Sequence, residues 1–216
     1  MSSAACKDKD NISDQLNSII NRLVSSNDPD EVRDLYRQWA ASYEDDLDEF
    51  GYVAPQKGVA MFGQLITDRG ALIHDAGCGT GLVGQLLTEL GFRSIDGSDF
   101  SADMLTGAGK KGCYRQLIQA DYTQTLEFAD NGYDGIISIG VYTKRFRQKF
   151  VAEMLRMLKP GGYLLFTCRP LYFEEVAESV KELHINELLC MSSVTLDDYM
   201  LGQNASAYYV VLQKSW

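Results

Sequence analysis

The feature that most constrains the fold is a short apolar segment that runs directly into a glycine-rich loop. The segment over residues 72–76 precedes Gly77, Gly79 and Gly81, and a helical pattern follows from Leu82. Glycine has no Cβ, so glycines at these three positions let the backbone turn sharply and approach a ligand closely. The pattern predicts a strand, a nucleotide-binding loop and a helix, with a ligand-free tight turn as the alternative.

Short apolar runs alternate with helical segments from residue 71 onward. This alternation predicts βαβ units around a parallel sheet. The predicted strands are 71–76, 94–98, 114–119, 133–139, 162–168 and 205–213, and the predicted helices between and after them are 82–90, 102–108, 147–158 and 173–187. Further helices are predicted over 11–25, 28–43 and 55–67. We therefore expect one domain over residues 1–216, with N-terminal helices over 11–67 and an α/β core over 71–216.

The composition limits the partners. The chain has 30 Asp and Glu against 20 Lys and Arg, a formal net charge of −10. Affinity for a phosphate backbone is built from Lys and Arg, so we expect no nucleic-acid partner. The start of the chain is polar, no apolar run is long enough for a membrane span, and five scattered cysteines suit reduced thiols. We expect a cytoplasmic protein with no membrane partner. The two histidines are far apart, so we also expect no metal.

Asp75 stands at the tip of the first predicted strand, two residues before Gly77. A carboxylate there can accept hydrogen bonds from the loop amides and from a cationic amino group. S-adenosylmethionine carries such an amino group, and a nicotinamide dinucleotide does not. The pattern favours the former cofactor, while a helix-cap role for Asp75 is the alternative.

Two further acids end the next predicted strands. Asp99 lies 22 positions after Gly77, where a ribose-binding acid is expected, with a cap for the following helix as the alternative. Phe100 and Met104 beside it offer apolar surface for an adenine ring, although a methionine at this spacing also suits the core. Asp121 ends the third strand and is placed either to accept a hydrogen bond from the adenine amine or to form a turn.

Together these motifs resemble the class I S-adenosylmethionine-dependent methyltransferases. The matching segments lie between Tyr36 and about Arg169 and comprise Asp75–Gly81, Asp96–Leu105, Gln119–Tyr122 and Leu158–Gly162. Tyr36–Glu44 and Tyr52–Pro55 resemble a narrower group, the methyltransferase-like proteins of the Williams–Beuren chromosomal region.

The resemblance implies a Rossmann-like, seven-stranded, mostly parallel sheet with an antiparallel last strand, helices on both faces and an N-terminal helical lid. It also implies that the glycine loop with Cys78 holds the methionine end, that Tyr36 reaches over the cofactor, that Tyr122 lies beside adenine, and that Ile139 lies near the methyl group. Relatives often carry a histidine just after position 143, where this chain has Lys144. A general-base role for that histidine therefore cannot be carried over.

The implied reaction is transfer of a methyl group to a small molecule by in-line displacement, with S-adenosylhomocysteine as the product. The protein must mainly align donor and acceptor and exclude water, so no catalytic side chain is assigned. The candidate substrate residues are Tyr43, Tyr52, Tyr142, Lys144 and Arg169. The basic cluster around Lys144 and Arg169 suggests either an anionic acceptor or a solvated helix face. We expect a monomer or a weak homodimer.

Two other functions stay open. A cofactor-binding sensor or scaffold without turnover would need the same loop and acids. An NAD-dependent oxidoreductase is favoured only by Asp99 and by Gly79, Gly81 and Gly84, which spell a dinucleotide fingerprint. No Tyr-x-x-x-Lys pair of the short-chain dehydrogenase type occurs in the sequence.

Overall fold

A computed structural model of the chain describes residues 18–23, 25–26, 28–143 and 147–216. Its centre is a seven-stranded sheet made of β1 (Leu72–Ala76), β2 (Ser94–Asp99), β3 (Gln116–Gln119), β4 (Tyr133–Ser138), β5 (Leu158–Cys168), β6 (Leu189–Met200) and β7 (Ala205–Lys214). The strand order is β3-β2-β1-β4-β5-β7-β6. Strands β1 to β5 are parallel, and β7 pairs antiparallel with both β5 and β6. The expected fold class is confirmed.

The helices cover both faces of this sheet and one of its ends. They are α1 (Pro29–Trp39), α2 (Tyr43–Glu49), α3 (Ala54–Leu65), α4 (Leu82–Glu89), α5 (Ala102–Lys111), α6 (Arg147–Met157) and α7 (Phe173–Ile185), and residues 18–23 are also helical. No helix in the described part of the chain is long and apolar enough to cross a membrane.

The single helix predicted over 28–43 is wrong, because the chain turns at residues 40–42 between α1 and α2. Asp46 explains the turn. Its Oδ2 accepts hydrogen bonds from the Trp39 indole N–H and from the Ser42 hydroxyl, both at 2.8 Å. These bonds fold the start of α2 back on the end of α1, which helical periodicity does not reveal.

Strand β6 was absent from the strands that the sequence pattern predicted. Half of its side chains are exposed, and it pairs with β7 at the edge of the sheet, while its last residue, Met200, forms a single bridge to Tyr52. An exposed edge strand lacks the apolar alternation that marks a half-buried one. Strand β5 also begins earlier than predicted, at Leu158, because a register shift lets the Lys-Pro-Gly-Gly segment continue along β4.

Three apolar clusters hold these layers together. One lies between the sheet and α6 and α7, with Phe150 and Phe166 fully buried, and another lies under α3 and α4 around Phe62. The third joins Trp39 and other residues of the N-terminal helices to Met200 at the end of β6. Burial of this third cluster keeps α1 and α2 over one end of the sheet.

Candidate functional site

The order of the strands reverses between β1 and β4, and open α/β sheets bind ligands in the crevice at such a point. A first cavity lies there, at the carboxyl ends of β1, β2 and β4. Most of the residues predicted to bind cofactor line it: Tyr36, Gly77, Gly79, Asp99, Phe100, Met104, Asp121, Tyr122 and Ile139. The structure thus brings together side chains from both halves of the sheet and from α1.

The loop after β1 forms the floor of this first cavity. Gly77 and Gly79 have φ angles of +78° and +53°, which L side chains rarely adopt. A Cβ placed on Gly79 would meet no atom within 4 Å, so the loop presents bare backbone there. A ligand could therefore contact the loop backbone directly at Gly79, where no side chain stands between them.

Asp99 is held at the end of β2 by two backbone amides. Its Oδ1 accepts the Ser101 N–H at 2.8 Å, and its Oδ2 accepts the Gly79 N–H at 2.9 Å. Burial raises the pKa of this carboxyl, while the amide bonds work in the opposite direction. A carboxylate oxygen can accept more than one hydrogen bond, so Asp99 keeps acceptor capacity for two ribose hydroxyls. The N-cap of α5 is Ser101 and not Asp99.

Part of the wall of the first cavity is apolar, which is the kind of surface predicted for an adenine ring. Phe100 and Met104 line it, and the Arg33 guanidinium of α1 lies 4.4 Å from the centre of the Phe100 ring. Asp121 also lines the cavity, but its Oδ1 accepts the Thr123 amide and hydroxyl at 3.0 and 2.8 Å. Asp121 therefore forms the predicted turn and also lines the cavity.

A buried hydrogen-bond network supports the loop from below. Tyr122 Oη accepts the Gly77 N–H at 2.7 Å and lies 2.6 Å from Ser98 Oγ, which lies 2.9 Å from His74 Nε2. Burial lowers the pKa of His74 to about 3, so its ring is neutral. The network ties the ends of β1 and β2 to the segment after β3.

Three of the predicted cofactor residues, Asp75, Cys78 and Gly81, do not line the first cavity. The Tyr114 hydroxyl donates to Asp75 Oδ2 at 2.7 Å. Asp75 Oδ1 is buried and has no partner among the described residues. Burial raises the pKa of Asp75 to about 7. A cofactor contact at these three residues stays a prediction.

A second cavity of about 420 Å³ adjoins the first. Five residues line both cavities: Leu23, Tyr36, Tyr43, Gly140 and Thr143. Of the predicted substrate residues, Tyr43, Tyr52, Tyr142 and Arg169 line the second cavity. Lys144 lies outside the described residues.

Sequence reasoning missed several walls of this second cavity. Tyr199 and Met200 belong to β6, which the pattern did not predict, and Thr167 lies inside β5. Trp39 lies at the end of α1 and is not among the predicted site residues. No local signal marks these residues, because each reaches the cavity only through long-range packing.

The part of the chain that forms the first cavity is similar in sequence to known proteins. Residues 74–166 match the methyltransferase domain family. Human methyltransferase-like protein 27 is 31% identical over 138 residues, and a probable tRNA methyltransferase 9B from Bos taurus is 38% identical over 100 residues. These alignments cover 62% and 44% of this chain, but only 56% and 21% of the two relatives.

The fold is shared with solved methyltransferase structures. In a Haloferax volcanii complex of the Trm112 activator with a putative methyltransferase, the match covers 86% of this chain and 98% of the solved chain, with a TM-score of 0.66 and 16% identity. Structures of this fold have also been solved with S-adenosylmethionine or S-adenosylhomocysteine bound. Residues 74–166 are thus similar to the methyltransferase domain family, and the chain shares its fold with these solved methyltransferase structures.

Proposed function

We propose that this chain, with its methyltransferase domain over residues 74–166, transfers the methyl group of S-adenosylmethionine to a small-molecule acceptor. One observation carries the proposal. The first cavity has the parts of an adenosine site, and it shares Tyr36, Tyr43, Gly140 and Thr143 with a second cavity large enough for an acceptor. Donor and acceptor would meet at these shared residues.

Different residues of the first cavity would contact the ribose, the adenine and the methionine part of the cofactor. Asp99 would hold the ribose hydroxyls, and Phe100 and Met104 would contact adenine. The bare backbone at Gly79 would lie against the methionine part. The bound cofactor supplies an electrophilic methyl group on a sulfonium. The chain would align that group with the acceptor and exclude water.

Size and charge favour a small acceptor over a macromolecule. A cavity of about 420 Å³ lies in the range of small-ligand sites. The net charge of −10 disfavours the phosphates of a tRNA, although the bovine relative is named as a tRNA methyltransferase. The similarity to human methyltransferase-like protein 27 supports the narrower kinship to the Williams–Beuren-region group.

We also propose a domain organisation and an oligomeric state for the chain. The helices over 11–67 and the core over 71–216 would form one cytoplasmic domain that acts as a monomer or weak homodimer. The third apolar cluster supports this organisation, because it packs N-terminal residues against β6.

Calorimetric titration tests the cofactor. We expect the wild-type protein to bind S-adenosylmethionine and S-adenosylhomocysteine but not NAD. Asp99→Asn should weaken binding about 10- to 100-fold, because hydrogen bonds to a charged acceptor are worth about 1.5–3 kcal/mol. Asp103→Asn is the matched control, since Asp103 is exposed on the first turn of α5. Binding of NAD alone would overturn the proposal, and cofactor binding without transfer to any acceptor would favour the sensor.

A further inference from the structure

The second cavity has one charged side chain among its described lining residues, the half-buried Arg169. Arg169 follows directly after β5, and β5 runs beside β4 with Ser138 opposite Phe166. No carboxylate in the described part of the chain forms an ion pair with Arg169. A guanidinium facing an aromatic cavity without a counterion is suited to an anionic ligand.

Tyr52 and Tyr199 lie where the two cavities meet. A Cβ built on Gly140, which lines both cavities, would lie 2.7 Å from Tyr52 Oη and 3.0 Å from Tyr199 Oη. The Tyr52 hydroxyl donates to Tyr199 Oη over a long 3.4 Å. Tyr199 is the acceptor in this bond, so the bond does not use its own O–H. No described residue accepts a hydrogen bond from that O–H, which is therefore available to a ligand.

The described walls of the second cavity contain no Asp, Glu, His or Lys that could remove a proton from the acceptor. Burial raises the pKa of Tyr52 and of Tyr199, and Arg169 only partly opposes this for Tyr199. Both hydroxyls are therefore protonated at neutral pH and act as donors, not as bases. An acceptor that must lose a proton to react, such as an alcohol, finds no base on these walls.

We propose that the acceptor is a small carboxylic acid with an apolar body, whose carboxylate is held by Arg169 and Tyr199 and is itself methylated. This inference rests on the proposed function. A carboxylate is anionic at neutral pH, matches the guanidinium fork and needs no base. The aromatic side chains of Trp39, Tyr43 and Tyr142 would contact its apolar body.

The step balances without an added reactant. A lone pair of the carboxylate oxygen forms the new O–CH₃ bond, the S–CH₃ bond breaks, and its electron pair stays on sulfur. The anion and the sulfonium cation become a neutral methyl ester and a neutral thioether, and no proton moves. Tyr52 acts as a positioning residue, because it holds the Tyr199 oxygen at Gly140.

The test uses the full chain and a panel of phenylalkanoic acids with one to five methylenes, each beside its primary amide, alcohol and amine. Methyl transfer from tritiated S-adenosylmethionine is scored as base-labile ester that releases volatile methanol. We expect label in the acids only. Ligand-observed NMR with S-adenosylhomocysteine present reads acid binding without turnover, and acids should bind at least about 10-fold more tightly than their amides.

Arg169→Gln and Tyr199→Phe should each reduce acid binding and ester formation about 10- to 100-fold, with cofactor affinity unchanged. Arg93→Gln and Tyr163→Phe are matched controls outside both cavities. Exposed Arg93 lies just before β2, and Tyr163 lies inside β5 away from its carboxyl end.

The outcomes separate the two proposals. Cofactor binding with transfer only to alcohols or amines would leave the methyltransferase proposal standing and overturn the carboxylate. Equal binding of acids and amides, or ester formation unaffected in both variants, would also overturn it. If calorimetry detects no cofactor binding, the proposed function is wrong, and the carboxylate inference that rests on it is wrong as well.

Discussion

Asp75 is a fully buried carboxyl whose charged form the fold stabilises poorly. One of its oxygens is bonded to Tyr114 and the other is buried without a partner among the described residues. Burial is the main reason that its pKa rises from 3.8 to about 7. A cationic ligand group near the unpartnered oxygen would stabilise the charged form, which is the role that the sequence suggested for Asp75.

The raised pKa of Asp75 predicts a pH dependence of stability. Between the unfolded pKa near 3.8 and the folded pKa near 7, the folded state binds more protons, so stability falls as pH rises and levels off above about 7. Asp75→Asn removes this contribution. The melting temperature of the variant relative to wild type should rise from pH 5.5 to 7 by the equivalent of about 1–2 kcal/mol. Calorimetric scans across this range check it.

The control for this prediction is Asp103→Asn, an exposed carboxyl on α5 whose offset from wild type should not follow the same curve. A pH-independent offset for Asp75→Asn would contradict a folded-state pKa near 7 for Asp75.

At the scale of elements, the site depends on how strand ends are joined. The Tyr122 hydroxyl contacts the Gly77 amide after β1 and Ser98 on β2, although Tyr122 itself follows β3. Such a network holds the three strand ends in one arrangement. Because Tyr122, Ser98 and His74 are buried, removal of one of these side chains takes a hydrogen-bond partner from the others.

Tyr122→Phe should lower the free energy of unfolding by about 1–3 kcal/mol, because buried Ser98 Oγ and the Gly77 amide each lose a partner. Gly77 keeps its bond to the Ser98 carbonyl, so cofactor affinity should fall by less than in Asp99→Asn. Urea denaturation measures the first effect and calorimetric titration the second. Tyr163→Phe serves as the comparison, and equal stability of the two variants would contradict the structural role of the network.

The whole molecule is acidic, and its charge bears on the class of substrate. A surface that carries a net −10 repels a polyanion unless a local basic patch outweighs it. One relative is named a probable tRNA methyltransferase, so membership of this fold does not by itself decide between small molecules and tRNA.

We predict that tRNA binding will be undetectable up to about 10 µM tRNA at near-physiological salt, since nonspecific binding rests on Lys and Arg contacts to phosphate. Filter binding of total tRNA, with and without S-adenosylmethionine, measures this. In a mixture of tRNA and small metabolites, tritiated methyl should enter only the small-molecule fraction. Label in tRNA would contradict the small-molecule proposal.

The α/β class and the positions of the glycine loop and of Asp99 could be predicted from the amino-acid sequence alone. These features are local, because strand and helix periods, glycines and acids at strand ends can be recognised from consecutive residues. The same locality explains the errors. The turn between α1 and α2 depends on contacts to Asp46, and β6 is an exposed edge strand defined by its pairing with β7.

The residues that line the second cavity could be identified only from the folded chain. This cavity joins Tyr36 of α1, Tyr52, Arg169 after β5 and Tyr199 of β6, which lie far apart in the chain. No spacing rule connects these residues. Packing of the N-terminal helices on the ends of β5, β6 and β7 brings them together, and the free energy of that packing comes from apolar clusters and not from the polar groups that face the ligand.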